Sequence, residues 1–215
     1  FVVIITDDHR WDSLGVVQRE MGATGRFPWF TNGTPNLDRL AAEGVRFRNA
    51  FVTLSLCSPS RAAILTGRYN HLNGIINNST AFPTTSATYA SRLRAAGYVT
   101  GMVGKWHLGR PAIFLPTHQG FDEYFGLPYS NDMWPFHPEA KPGTYPPLPL
   151  IEGDQVVRAG LDHSDQEQLT TWYTERAVRF IEQNKNHPFF LYVAHNMPHV
   201  PLHVSDPFKG KSKRG

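Results

Sequence analysis

The sequence predicts an α/β layered fold, a sheet of strands with helices packed between them in chain order. Three observations carry this. Short apolar runs rich in β-branched and aromatic residues occupy positions 2–6, 98–103 and 188–194, each bounded by charged, Gly or Pro residues. Segments with helical spacing lie between them and are punctuated by Pro at the start and Gly at the end. The two kinds of segment alternate along the chain, the pattern of sheet and helix layers sharing a core.

Taken in order, residues 2–6 (Val-Val-Ile-Ile-Thr) read as a fully buried strand. A loop rich in Gly and aromatics comes next. Thr34-Pro35-Asn36 opens a helix and Gly44 closes it, and residues 45–53 alternate well enough for a second strand. Ser58-Pro59 starts a short helix carrying Ala62, Ala63, Ile64 and Leu65 and stopping at Gly67. A further helix spans about 87–96 before Gly97, and 98–103 is the next strand. Residues 111–149 are Pro-, Gly- and aromatic-rich without period, a long coil of the kind that serves as a wall or lid of a site. Residues 165–184 place Leu169, Trp172, Tyr173, Val178, Phe180 and Ile181 at helical spacing, and 188–194 form the last strand.

With 215 residues, 40% hydrophobic and 18% charged, the chain is long and apolar enough to bury a core. Its single cysteine excludes an internal disulfide and a multi-cysteine zinc site. No apolar run approaches the roughly 18 residues that span a bilayer. A net charge of +3, with the basic residues scattered, does not point to nucleic acid. The small cluster Lys209, Lys211, Lys213 and Arg214 reads as a solvated tail. The chain opens inside an apolar run and closes soon after a His/Pro-rich segment, so we read it as part of a longer protein.

In open α/β sheets ligands bind beyond the carboxyl ends of the strands, so the residues just past each strand locate the chemistry. Asp7 and Asp8 stand past the first. Adjacent carboxylates repel unless a cation lies between them, which suits a hard divalent ion. The second expected strand leads to Cys57-Ser58-Pro59-Ser60-Arg61. Cys57 stands at a helix N-terminus, where amide N–H groups and the dipole favour a thiolate, and Arg61 sits one turn on. The third yields Gly104-Lys105-Trp106-His107. If extended, it puts Lys105 and His107 on one face as a cation and a proton donor, with Trp106 on the other. The fourth delivers His195 to His199. Pro198 and Pro201 break the helix that would turn His195, His199 and His203 into a metal stripe, leaving His199 as the histidine aimed at the site.

These residues resemble the sulfatase family. Cys57-Ser58-Pro59-Ser60-Arg61 running into Leu65-Thr66-Gly67-Arg68 is similar to the family's Cys-x-Pro-Ser-Arg signature. Asp7-Asp8, Thr34-Pro35-Asn36, Gly104-Lys105-Trp106-His107-Leu108-Gly109, Gly120-Phe121-Asp122 and Pro198-His199-Val200-Pro201 occur in the family's order. The segment 124–130 is closest to its arylsulfatase A-like branch. The resemblance implies an alkaline-phosphatase-like mixed sheet with helices on both faces, present here as the N-terminal portion of the catalytic domain.

It further implies that Cys57, recognised within residues 56–68 by a separate formylglycine-generating maturation enzyme, is oxidised to formylglycine. One hydroxyl of the hydrated aldehyde attacks the sulfur of a sulfate ester and displaces the alcohol. The second then loses its proton, so that the aldehyde re-forms and sulfate leaves. On the same resemblance Asp7, Asp8 and the nucleophile oxygen at position 57 hold Ca²⁺, and Arg61 stabilises the hydrate. Lys105 and His199 bind sulfate or protonate the leaving oxygen, and His107 assists the elimination. The expected partner is a sulfated small molecule or glycan. The family's remaining metal ligands, an Asp-Asn pair, and a further lysine have no counterpart in these 215 residues, and Asn131-Asp132 has the wrong order. Residues 1–215 alone are therefore expected to be inactive. Three other readings are a phosphodiesterase or phosphatase of the same superfold, which would use Ser or Thr with two metals, a sulfated-glycan-binding pseudoenzyme, and a thiol hydrolase pairing Cys57 with a histidine.

Overall fold

The computed structural model describes residues 1–211. They fall into two compact units, one made of Phe1–Asp7 with residues 53–211 and the other of Asp8–Val52.

The larger unit is built on a six-stranded mixed sheet. Its strands are β1 (Val2–Ile5), β2 (Val99–Gly104), β3 (Glu123–Gly126), β4 (Leu150–Glu152), β5 (Gln155–Arg158) and β6 (Phe189–Ala194), in the spatial order β1-β6-β2-β3-β4-β5. The first four in that order run parallel, and β4 and β5 form an antiparallel hairpin beside β3. β6 and β2 are the central pair, aligned from Val99 opposite Phe189 to Gly104 opposite Ala194. Both are buried almost throughout, as hydrophobic runs covered on both faces must be.

Alternation along β6 divides the core. Phe190 and Tyr192 pack to one side with Met102, Ala62, Leu65 and Ala90. Leu191 and Val193 pack to the other with Val103, Leu169, Tyr173 and Phe180. Fully burying such side chains contributes about 1.5–3 kcal/mol each. The first side is covered by the helices at Cys57–Thr66 and Tyr89–Ala95, the second by the helix His163–Asn184. Helices thus lie on both faces of the sheet. A short helix, Asn70–Asn73, comes after the first of these.

In the smaller unit α1 (Gly15–Met21) and α2 (Pro35–Glu43) are tied by Asp38, whose carboxylate accepts from the Val16 amide at 2.9 Å and pairs with Arg19 at 2.9 Å. In chain order the helices of the larger unit are α3 (Cys57–Thr66), α4 (Asn70–Asn73), α5 (Tyr89–Ala95) and α6 (His163–Asn184). Their ends obey the punctuation in the sequence. Gly67 closes α3 in the left-handed conformation at φ 63. Thr88 with Ser91 and Asp162 with Asp165 form reciprocal capping boxes on α5 and α6.

Three expectations are corrected. Residues 45–53 form no strand: Val45, Phe47 and Phe51 are more than 80% exposed, and alternation without a neighbouring ladder leaves the backbone unpaired. Residues 2–6 are not fully buried. Among the described residues β1 pairs only with β6, and of its four residues Val3 and Ile5 pack against the core while Val2 and Ile4 are exposed. The irregular stretch 111–149 contains β3, and a hairpin of two short strands lies just beyond it. These are only four, three and four residues long, too short for a period to register. At the tail Lys209 and Lys211 are exposed, and Lys209 also pairs with Glu167 and Asp206 at 2.8 Å each. Lys213 and Arg214 lie outside the described residues.

Candidate active site

Parallel strands end together, and this sheet uses that fact. β1 runs out into Asp7, β2 into Lys105 and β6 into His195–His199. The His195 amide donates to Ile5 O at 2.8 Å, and the Lys105 amide to Ala194 O at 2.8 Å, so the three exits are stitched side by side. Such close passage depends on glycine. Gly104 has φ +110, and a Cβ there would meet Ala194 O at 1.9 Å; a Cβ on Gly126 would meet Gly104 O at 1.9 Å. The fourth contribution does not come from a strand end. Cys57 is the first residue of α3, reached through coil.

α3 is held against the β2 exit by two polar side chains. Ser58 Oγ donates to His107 O at 2.6 Å, and Arg61 Nη1 donates to Lys105 O at 2.5 Å. Arg61 Nη2 reaches Asp7 Oδ2 at 2.9 Å. Lys105, fully buried, puts Nζ 2.5 Å from the same Asp7 oxygen, 2.9 Å from Ser130 Oγ and 3.5 Å from Cys57 Sγ. One carboxylate therefore sits between two buried cations, and one of those cations also touches the thiol. His199 also hydrogen-bonds Cys57. The structure brings together Asp7, Cys57, Arg61, Lys105 and His199, and His107 lines the same cavity as Cys57 and His199. Asp8, at φ 58, is the first residue of the smaller unit.

The electrostatics arise from this packing. Burial works against ionising Asp7, but the guanidinium of Arg61 and the ammonium of Lys105 outweigh it and hold the carboxyl below its usual range. Burial opposes the Cys57 thiolate too, and the His199 hydrogen bond with the Lys105 charge reverses the balance, so the thiol is depressed. The same bond to Cys57 raises His199 to about 9, against burial and the repulsion of Lys105. His107 is pushed down to about 3 by burial first, then by Lys105 and Arg61.

Of the two imidazoles, His199 is the one whose surroundings favour the protonated form, while burial and the neighbouring cations favour the neutral form of His107, whose buried Nδ1 has no hydrogen-bond partner among the described residues. The place of His107 is set differently from the expectation. β2 ends at Gly104, and His107 adopts φ 58, so regular strand alternation does not govern residues 105–107. Trp106 still turns into the core, edge-on to Phe82 and Phe121.

The cavity over Cys57 has a volume of about 710 Å³. Much of its wall, including Pro111, Phe114, Tyr129, Asp132 and Tyr145, comes from the irregular stretch, as expected for a coil of that length. Two contributors had no signal in the sequence. Ser130 binds Lys105, and Asn78 accepts from the Ser58 amide at 2.9 Å, capping the start of α3. Both come from coil, where no period marks which side chain points inward. Chemically, three cationic groups and one carboxylate around a nucleophile position suit a tetrahedral oxyanion being attacked.

Ca²⁺ takes six to eight oxygen ligands. Asp7 offers an ionised hard donor, but among the described residues no group of three His, Cys, Asp or Glu side chains is placed to hold an ion. The fit to a calcium site is partial, and no chemical step is routed through the metal. Among the described residues no helix is long and apolar enough to cross a membrane.

The family model described as Sulfatase matches residues 1–215. The chain is 39% identical over 236 residues to arylsulfatase G of Mus musculus, covering 96% of this chain and 42% of that protein. To N-acetylgalactosamine-6-sulfatase of Homo sapiens it is 36% identical over 234 residues, covering 100% of this chain and 42% of that one. Among solved structures it matches one described as in complex with its substrate D-glucosamine-2-N,6-O-disulfate. That match is 31% identical with a TM-score of 0.66, covering 93% of this chain and 34% of the other. The chain thus spans 42% of the length of the curated relatives it matches.

Proposed function

The chain belongs to the sulfatase family, and on that basis we propose that the protein is a sulfuric ester hydrolase whose nucleophile is made from Cys57. The fold is the alkaline-phosphatase-like α/β fold of that family, whose members generally use formylglycine and Ca²⁺. The observation carrying the proposal is the placement of Cys57. It opens α3 at the wall of a substrate-sized cavity, between a fully buried lysine and a histidine.

In this reading a maturation enzyme recognises the α3 segment and converts Cys57 to formylglycine, whose hydrated aldehyde supplies the attacking oxygen. The chain's own groups do the rest. Lys105, whose Nζ is 3.5 Å from Cys57 Sγ, would offset charge on the sulfate oxygens, Arg61 would stabilise the hydrated aldehyde, and Asp7 pairs with both of them. His199, on the cavity side, is placed to give its proton to the departing alcohol oxygen. His107 lies on the same cavity wall as position 57, where it would assist the expulsion of sulfate. Ser130 fixes Lys105 through its hydroxyl. Asp7 and Asp8 would contribute oxygens to Ca²⁺, with the oxygen at position 57 as a further ligand. The substrate is a sulfated small molecule or glycan, in keeping with the disulfated sugar bound by one matched structure.

The test is hydrolysis of 4-nitrophenyl sulfate by the full-length protein from its native host, with mass analysis of the Cys57 peptide. The proposal expects sulfate release, a peptide about 18 Da lighter than the thiol form, and loss of turnover in Cys57→Ala. The Cys57–His199 bond favours one second reading, a thiol hydrolase. That reading expects an unmodified thiol and inactivation by iodoacetamide, and an aldehyde at position 57 sinks it.

A further inference from the structure

The cavity holds one cation with no assigned task. Arg110 lies on its wall, just past the Gly-Lys-Trp-His-Leu-Gly run, with its guanidinium over the Tyr129 ring at 4.4 Å from the centroid. The ring is fixed: Tyr129 is buried and donates its hydroxyl hydrogen to Pro147 O at 3.0 Å. The approach of Arg110 to it is fixed as well. Gly109 has φ +138, and a Cβ there would meet Phe114 Cβ at 2.4 Å, while Phe114 O is held by Trp106 Nε1 at 2.8 Å.

The other cations at this site are already engaged, Arg61 and Lys105 with Asp7. Among the described residues no carboxylate lies within salt-bridge distance of Arg110. The one carboxylate on the described cavity wall, Asp132, acts on His199. A guanidinium held over an aromatic ring still has N–H donors to give, and no hydrogen bond of Arg110's side chain is seen among the described residues. An arginine, itself solvent-exposed, whose guanidinium carbon sits over an anchored aromatic on the wall of a cavity of this size has N–H donors available to an oxyanion.

The geometry points to Arg110 as a specificity-determining residue that receives a second anionic group of the substrate, a sulfate or carboxylate on the sugar carrying the scissile ester or on the ring next to it. The preferred substrate class is accordingly a sugar with a second anionic group, bound more tightly than one whose single sulfate is its only anionic group. This rests on reading the cavity as the sulfate-ester site.

The test separates the two readings. Full-length protein carrying Cys57→Ala, which cannot consume the ligand, is titrated with glucosamine 6-O-sulfate and with glucosamine bearing both a 6-O- and an N-sulfate. With Arg110 present, the second sulfate tightens binding by roughly tenfold or more, the size of one charge-assisted bidentate contact. In Arg110→Gln most of that gain is lost, and in Arg110→Lys an intermediate gain survives because charge persists without the stacked fork. A gain equal in the three proteins, or no gain with Arg110 present, overturns the inference. Turnover is measured separately on the matured protein. Hydrolysis of sulfate esters with no Arg110-dependent gain defeats the inference alone. An Arg110-dependent gain in a protein that hydrolyses no sulfate ester defeats the sulfatase reading and leaves the anion subsite standing.

Discussion

Lys105 and Asp7 show how much one residue does here. Lys105 has no exposed surface, yet its ammonium contacts a carboxylate, a hydroxyl and a thiol. Removing the carboxylate would leave Lys105 and Arg61 facing each other across a buried gap. Breaking a buried pair in this way costs about 3–5 kcal/mol. Asp7→Asn is therefore expected to lower the melting temperature of the full-length protein and to reduce its bound calcium, measured by thermal unfolding and by elemental analysis. The pH dependence has a definite sign. A carboxyl depressed in the folded state stabilises above its unfolded pKa and loses that contribution as pH falls through the folded value. The melting difference between wild type and Asp7→Asn should accordingly shrink on acidification below about pH 4. His199 offers a second test. Its raised pKa depends first on the bond to Cys57, so replacing the thiolate by an uncharged oxygen should bring it below about 9. Histidine NMR titration of matured and unmatured protein reads this directly, and an unchanged midpoint would show that Cys57 is not the cause.

At the level of elements, α6 positions the site although none of its residues lines the cavity over Cys57. Its Tyr173 hydroxyl donates to Asn196 Oδ1 at 2.8 Å, and Asn196 O accepts from the His199 amide at 3.1 Å. Its Gln166 donates to Asn131 O at 3.0 Å, next to Ser130. Two turns of one helix thus anchor the two loops that carry His199 and Ser130. Tyr173→Phe leaves a buried acceptor unsatisfied, which costs about 1–3 kcal/mol. The expected signature is a fall in kcat larger than any rise in KM, since His199 is misplaced while the cavity persists. A strand-end prediction runs through Gly104. Alanine there brings a Cβ to 1.9 Å from Ala194 O at a positive φ, so Gly104→Ala should prevent folding or cost more stability than Gly67→Ala, where nothing lies within 4 Å. Comparing soluble yield and melting of the two variants settles the point.

Across the whole molecule, the described residues assemble a nucleophile position, its cations and a cavity wall, but only part of a calcium cage. A protein consisting of residues 1–215 alone is therefore expected to turn over 4-nitrophenyl sulfate far more slowly than the full-length protein. Parent-like rates from those residues would show that no further donors are needed. The fold itself was broadly legible. Strands 2–6, 98–103 and 188–194 and helix 165–184 all correspond to observed elements within a few residues, because long periodic runs and caps act locally. The illusory strand at 45–53 and the unforeseen β3, β4 and β5 mark the other side. Pairing is a property of neighbours, and a four-residue segment carries no trace of who its neighbour will be.

The sequence by itself determined the local facts: that a cysteine opens a helix, that carboxylates, Lys105 and His199 stand past apolar strands, and that the Cys-to-Gly67 run has the chemistry of one family. Proximity to backbone amides, caps and signatures is short-range and is written in consecutive residues. Only the tertiary structure decided which of these groups meet and in what protonation state. It placed Asp7 between Arg61 and Lys105, gave His199 surroundings that raise its pKa and His107 surroundings that lower it, and set the Arg110 guanidinium over Tyr129. Those outcomes depend on burial and on charges brought together from distant parts of the chain, and both exist only once the sheet has assembled.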